Sequence, residues 1–228
     1  MAARITRTLS RLNTRINSFT ETPQKMSETE SFFASATDRS DYIKNAVPVY
    51  APVIDWALSA TTIPQPKNVV DIGCGLGHST QLLKKHFGES KIVGLDVCPH
   101  AISEGVVTDD SVEFHVGNIG SLLGSETLQG ESFDFAFASF FSSDFEGDEE
   151  YQYFEPLVDD LLAIMPAGGV GLFVHTGPEC EDFLAGIAFD EETAGDRVLR
   201  PKRAEWKMFD STEYCFVEFH VIPNNFYT

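Results

Sequence analysis

Val69-Val70-Asp71-Ile72-Gly73-Cys74-Gly75-Leu76-Gly77 is an apolar strand that runs into three glycines at alternate positions behind an aspartate. Glycine tolerates positive φ and has no Cβ, so a strand ending this way turns sharply and lets the backbone approach a ligand. The next apolar run, Lys91-Ile92-Val93-Gly94-Leu95-Asp96, closes on a second carboxylate. It lies about 20 residues on, at the tip of a neighbouring strand, where ionised oxygens accept hydrogen bonds from both hydroxyls of a ribose. Together the two features predict a nucleoside-binding site. The spacing argues against a dinucleotide: the G-x-G-x-x-G fingerprint counted from Gly73 requires glycine at 78, where this chain has His78.

The D-x-G-x-G-x-G pattern resembles that of the class I S-adenosylmethionine-dependent methyltransferases, in particular their small single-domain members, and the resemblance continues in register. Gly94-Leu95-Asp96 is similar to the family's second-strand ending, with Pro99 and Ile102 in the turn and helix that follow. Val112 to Asn118 is similar to its third strand, Ser132 to Ser139 to its fourth, and Met165-Pro166-Ala167-Gly168-Gly169-Val170 to the turn before its fifth. The match spans residues 66–175. It implies a Rossmann-like α/β fold: a seven-stranded sheet, mostly parallel with the last strand antiparallel, and helices on both faces. It also implies S-adenosyl-L-methionine as cofactor.

Alternation of apolar strands and helices independently predicts a parallel sheet covered on both faces. Strands are expected near 68–73, 91–96, 112–117, 133–139 and 169–174, and helices near 78–87, 99–105, 119–126, 150–165 and 178–188. Cys215, Val217, Phe219 and Val221 alternate with Glu218 and His220, a half-buried antiparallel strand. A weaker strand near 204–209 completes the hairpin. Ligands of such sheets bind outside the carboxyl ends of the strands at the switch point, here between the first and fourth.

Composition limits the partners. At 228 residues and a formal charge of −19, the chain is long enough for one sizeable core and repels polyanions, which argues against nucleic acid. No apolar run is long enough to span a membrane. Cys74, Cys98, Cys180 and Cys215 form no C-x-x-C pair and read as free thiols, and no metal site is expected. There is no N-x-[ST] sequon.

Three segments are expected: 1–25 as a transit peptide or disordered tail, 26–65 as linker and cap helices, and 66–228 as the cofactor-binding domain. In the first, Ile5, Leu9, Leu12, Ile16 and Phe19 recur at helical spacing, with Arg4, Arg7, Arg11 and Arg15 on another face and no acidic residue before Glu21. That composition predicts mitochondrial targeting, with a cytosolic or plastid location as the alternatives. Residues 21–38 are polar and turn-rich and read as a linker. Asp41 to Ala60 is a mixed helical pattern in which Pro48 and Pro52 predict two short helices or a kink. In the resembling family such helices cap the cofactor pocket, so Tyr42 and Tyr50 either face it or pack as core.

The resemblance assigns Gly73, Gly75 and Gly77 to the methionine portion of the cofactor, Asp96 to the ribose, and Asp71 to the loop and the methionine amino group. Asn118 stands where the family commonly has aspartate, and its oxygen can still accept from the adenine amino group. Val97 and Ile119 are candidates to sandwich the adenine, or ordinary core. Ser139, Asp144, Glu146, Tyr151 and His175, the candidates for a base, project from the loops after the fourth and fifth strands, and Ser139 is also expected to contact the cofactor. Among these His175 is the candidate catalytic base, with a structural histidine as the alternative. Phe140, Phe141, Phe145, Tyr151, Tyr153 and Phe154 suggest an aromatic mouth, or core packing. Arg197, Arg200, Lys202, Arg203 and Lys207 form a basic cluster, read as a solvated face balancing Glu179 to Glu192 or as an anion clamp. The expected activity is methyl transfer to a small-molecule substrate. A protein methyltransferase or organellar assembly factor, and a non-catalytic S-adenosylmethionine-binding module, stay open as alternatives.

Overall fold

A computed structural model describes residues 28–61, 63–107, 109–124, 127–128, 130–140, 155–190 and 196–224. The N-terminal segment through 27, the acidic run at 144–150, and Phe141, Phe145, Tyr151, Tyr153 and Phe154 lie outside the described residues.

Seven strands form one sheet: β1 (Asn68–Ile72), β2 (Lys91–Asp96), β3 (Val112–Val116), β4 (Phe135–Ser139), β5 (Val170–Thr176), β6 (Arg197–Phe209) and β7 (Thr212–Pro223). Their order is β3-β2-β1-β4-β5-β7-β6. The first five are parallel, and β7 runs antiparallel between β5 and β6. The chain reverses its direction of travel across the sheet between β1 and β4, as the resemblance implies. Pairing of Asp71 with Gly94, Ile72 with Ala138, and Ser139 with Val174 brings the carboxyl ends of β1, β2, β4 and β5 to one edge.

Helices cover both faces: α1 (Glu28–Ala34), α2 (Ala36–Asp41), a π-helical turn (Tyr42–Ala46), α3 (Val47–Ala60), α4 (His78–His86), α5 (Pro99–Ser103), α6 (Ile119–Gly124), α7 (Glu155–Ile164) and α8 (Gly177–Asp190). One core layer joins Val70, Ile72, Val93 and Leu95 to side chains of α6, α7 and α8. The opposite layer joins Val69, Ile92, Phe135 and Phe137 to Val53, Ile54, Ala57 and Leu58 of α3 and to Leu83 of α4. Successive residues of a strand point to opposite faces, so the apolar runs of β1, β2 and β4 feed both layers.

Three expectations need correction. The expected linker carries α1 and the start of α2. A helical period is hard to read there because only Phe33 is buried deeply, while Ser35 caps α2 by accepting from the Asp38 N–H at 3.2 Å. The two prolines neither split the next helix nor precede two short ones: Pro48 falls in the first turn of α3, where its missing N–H has no helical partner, and Pro52 lies within the same helix. The irregularity appears instead as the π-helical turn ahead of them.

The basic cluster lies on the edge strand β6, which is longer than the expected 204–209 and takes a bulge between Pro201 and Arg203. Lys202 pairs at 2.7 Å with Glu218, which is buried on β7. Arg203 donates to the Ala60 carbonyl at 2.7 Å, and Lys207 lies 5.4 Å from the Trp56 ring centroid. These cations attach the hairpin to α3 and to itself.

Candidate functional site

The loop after β1 is pinned from below. Gly73 and Cys74 both donate their N–H to the Leu95 carbonyl, at 2.8 and 3.0 Å, and the Gly77 N–H reaches the Cys74 carbonyl at 2.8 Å. Gly73, Gly75 and Gly77 have φ of 70°, 53° and 85°, the left-handed region that side chains resist. A Cβ on Gly77 would meet Val107 at 2.7 Å, whereas one on Gly75 would find nothing closer than the Phe33 ring tip at 3.9 Å. The space beside Gly75 is therefore open apart from that ring.

Asp96 ends β2 and organises the loop. One carboxylate oxygen, Oδ2, accepts from the Gly75 N–H at 2.8 Å, and Oδ1 accepts from the Cys98 N–H at 2.8 Å. A carboxylate oxygen accepts more than one hydrogen bond, so this pairing is compatible with a ribose diol at the same group.

Asp71 is wholly buried at the base of the loop. Its Oδ2 accepts from Ser79 Oγ at 2.7 Å and Thr80 Oγ1 at 2.6 Å, both on the first turn of α4, while Oδ1 is buried without a partner. Burial pushes its carboxyl up to about 7, the two hydroxyls oppose that shift, and the nearby Asp96 adds to it. At the far end of the loop His78 has a buried Nδ1 that also lacks a partner, and burial lowers the imidazole from its ordinary value.

The cap reaches this loop through aromatic rings. Phe33 and Tyr42 pack with Leu76, Cys98 and Ala101, and the Tyr42 ring lies 6.3 Å from that of His78. Burial, Tyr50, Asp96 and Asp71 together push the Tyr42 hydroxyl up to about 12, so it is a neutral donor beside two carboxylates. Tyr50 instead stacks on Phe140, with centroids 4.0 Å apart and planes 20° apart.

The remaining candidates fall at different places. Asn118 Oδ1 accepts from the Ser121 N–H at 2.8 Å, so it caps α6. Val97 is 58% exposed beside Asp96, and Ile119 is 2% exposed within the core layer under α6. Ser139 is buried at the end of β4, and Phe140 follows with φ of 49°, an uncommon conformation for a bulky residue. His175 sits one strand over. Its Nδ1 accepts from the Thr176 N–H at 2.9 Å, and Glu179 lies 3.6 Å from the same nitrogen. Phe140 tilts against His175 at 5.7 Å and meets Tyr214 edge-on at 5.9 Å. Asp144, Glu146 and Tyr151 lie outside the described residues. Among the described residues no cluster of His, Cys, Asp or Glu is arranged to hold a metal, and no helix is long and apolar enough to cross a membrane.

Phe33, His78 and Tyr214 gain importance only from the fold. An unpartnered buried nitrogen and a ring brought in from β7 leave no sequence signal.

The arrangement fits S-adenosylmethionine. A sulfonium with an ammonium group suits the negative field of Asp71 and Asp96, the unpartnered Asp71 oxygen is an acceptor, and the loop leaves open space beside Gly75.

Residues 69–157 match a family model described as a methyltransferase domain. A trans-aconitate 2-methyltransferase of Methylobacterium nodulans is 35% identical over 85 residues, covering 37% of this chain and 33% of that protein. One from Acidovorax sp. is 49% identical over 39 residues, 17% of this chain and 15% of that protein. The chain thus spans a third or less of the length of these relatives. Among solved structures, a plantazolicin methyltransferase in complex with S-adenosylhomocysteine has a TM-score of 0.59 at 12% identity, covering 84% of this chain and 93% of that one. The O-methyltransferase TomG of Streptomyces achromogenes, in complex with S-adenosylmethionine, has a TM-score of 0.58 at 15% identity over 93% and 96% of the two chains. At those identities the likeness is one of fold.

Proposed function

Because this chain belongs to the class I S-adenosylmethionine-dependent methyltransferases, we propose that it transfers the cofactor's methyl group to a small, ring-bearing acceptor that is neutral or cationic. The observation that carries the acceptor class is the aromatic wall at the carboxyl edge of the sheet, where Tyr50, Phe140, His175 and Tyr214 meet. Tyr214 is buried in the core layer, with Tyr50 and Phe140 partly buried against it, and the parts of these rings left uncovered favour a planar apolar body or a cation.

The relatives' names point to trans-aconitate, which carries three carboxylates. Recognition of such a polyanion calls for paired cations. Beside the ring wall stands Glu179, and the segment 141–154 contributes five acidic residues to the sequence and no Lys or Arg. Like charges set against each other disfavour binding.

S-adenosylmethionine supplies the electrophilic methyl on a sulfonium, and displacement of that kind depends on orientation more than on acid or base groups. The residues of this chain would hold the acceptor in line and keep water out. With His175 Nδ1 accepting from Thr176, the neutral ring carries its proton on Nε2. That favours a hydrogen-bond donor to the acceptor molecule over a general base.

Incubation with S-adenosylmethionine labelled in the methyl group tests the proposal, using trans-aconitate beside phenols and aryl amines. Label on the ring compounds, with a raised KM in Tyr50→Ala and unchanged S-adenosylhomocysteine affinity, is the expected result. Transfer to trans-aconitate alone overturns the acceptor class. Cofactor binding without transfer to any acceptor, including cellular extracts, favours a non-catalytic module.

A further inference from the structure

Only three buried side-chain polar atoms lack a hydrogen-bond partner among the described residues, and two of them, Asp71 Oδ1 and His78 Nδ1, bracket the glycine loop. A buried polar group without a partner is costly, so two at the ends of the eight-residue stretch 71–78 call for an explanation. Their chemistry is complementary. The Asp71 oxygen is an acceptor, and His78 Nδ1 is a donor in the tautomer that protonates it. A zwitterionic amino acid presents the matching pair, an ammonium and a carboxylate.

We propose that His78 holds the carboxylate of the cofactor's amino-acid end while Asp71 Oδ1 takes its ammonium, so that His78 makes the site selective for ligands with that end. This rests on the cofactor reading above and adds a residue to it. Placement supports the assignment. His78 opens α4, whose first-turn N–H groups favour an anion, directly after Gly77 at φ 85°. The independent second observation is Asp71 itself, wholly buried and bonded through its other oxygen to Ser79 and Thr80 on that same turn. Tyr42 stands against the His78 ring, 6.3 Å between centroids, and limits where it can swing. Ser79 and Thr80, which follow His78, donate to Asp71 across the loop, and this keeps its two ends close.

Two ligands separate this role from a structural one. S-adenosylhomocysteine has the amino-acid end, and 5′-methylthioadenosine is the same nucleoside thioether without it. Calorimetry on the full chain should show His78→Phe binding S-adenosylhomocysteine about 10-fold or more weakly, as loss of a hydrogen bond to a charged group predicts, with 5′-methylthioadenosine affinity unchanged. His78→Asn keeps a donor near the Nδ1 position and should restore most of the difference. Equal weakening of both ligands, or no weakening of either, in variants with native circular dichroism overturns the assignment. Wild-type protein that binds neither ligand would instead sink the cofactor reading.

Discussion

The Gly75 N–H donates to Asp96 Oδ2 at 2.8 Å, so the tip of β2 holds the middle of the glycine loop. Its other oxygen holds the Cys98 N–H at the start of α5. Asp96 is therefore a structural bracket as well as the expected ribose partner. Asp96→Ala leaves two backbone donors without their acceptor, at about 1–3 kcal/mol for each that stays buried and unpaired. It should lower Tm measurably, and its loss of cofactor affinity will mix folding with binding. Asp96→Asn keeps one acceptor oxygen, so a smaller fall in Tm with about a tenfold loss of S-adenosylmethionine affinity by calorimetry is expected. Unchanged affinity in the asparagine variant would remove Asp96 from the ribose.

The glycines divide by what surrounds them. Gly77→Ala puts a Cβ 2.7 Å from Val107 at φ 85°, so it should destabilise the fold. Gly75→Ala also meets positive φ, yet only the Phe33 ring tip at 3.9 Å stands nearby. Strain of about 1 kcal/mol is expected there, with the larger effect on cofactor affinity. Paired thermal melts and binding titrations on the two variants check this. A Gly75→Ala protein that binds normally would mean that the ligand does not cross the loop at that point.

What the sequence made legible follows from how local each signal is. The order and type of the core elements from Asn68 to Thr176 come from apolar runs and glycine turns, which depend on few neighbours. The same holds for Asp96, whose position at a strand tip is fixed by the run before it. The cap is less legible, because Phe33 and Tyr42 gain their environment from Leu76, Cys98 and Ala101, far along the chain. Asn118 shows the opposite difficulty: an N-cap and an adenine partner require the same oxygen, and residue type does not distinguish them. The basic residues of β6 are legible as a cluster, but the register that sets Arg203 opposite Glu218 and Arg200 opposite His220 comes from strand pairing and not from charge counting.

Asp71 should make cofactor affinity depend on pH. Its carboxyl, raised by burial to about 7, is largely protonated below that value and pairs poorly with an ammonium. Affinity for S-adenosylhomocysteine is expected to rise with pH through about 7 and then level, with proton release on binding detectable in buffers of different ionisation enthalpy. Stability of the free protein runs the other way. A carboxyl whose folded value lies above its unfolded one favours folding fully below the unfolded value near 4 and loses that contribution as pH rises to about 7. Asp71→Asn should flatten both profiles. A wild-type affinity that stays level between pH 6 and 8 would show that Asp71 does not titrate in this exchange.

The N-terminal segment carries a separate proposal, that it directs the chain to mitochondria. An import signal of this kind is read on both faces: receptors bind the apolar stripe of Ile5, Leu9, Leu12, Ile16 and Phe19, and the membrane potential draws the arginines. A reporter fused to residues 1–30 is expected in mitochondria by fluorescence microscopy. Changing Leu9 and Leu12 to glutamine, or Arg7 and Arg11 to glutamate, should leave it in the cytosol, since either change breaks one face and spares the other. Purified protein lacking residues 1–20 should bind S-adenosylhomocysteine as the full chain does, because among the described residues the contacts made by the loop, Asp71 and Asp96 come from residue 33 onward. Diffuse fluorescence from the native fusion would refute the targeting proposal, and loss of binding on truncation would place the segment in the cofactor site.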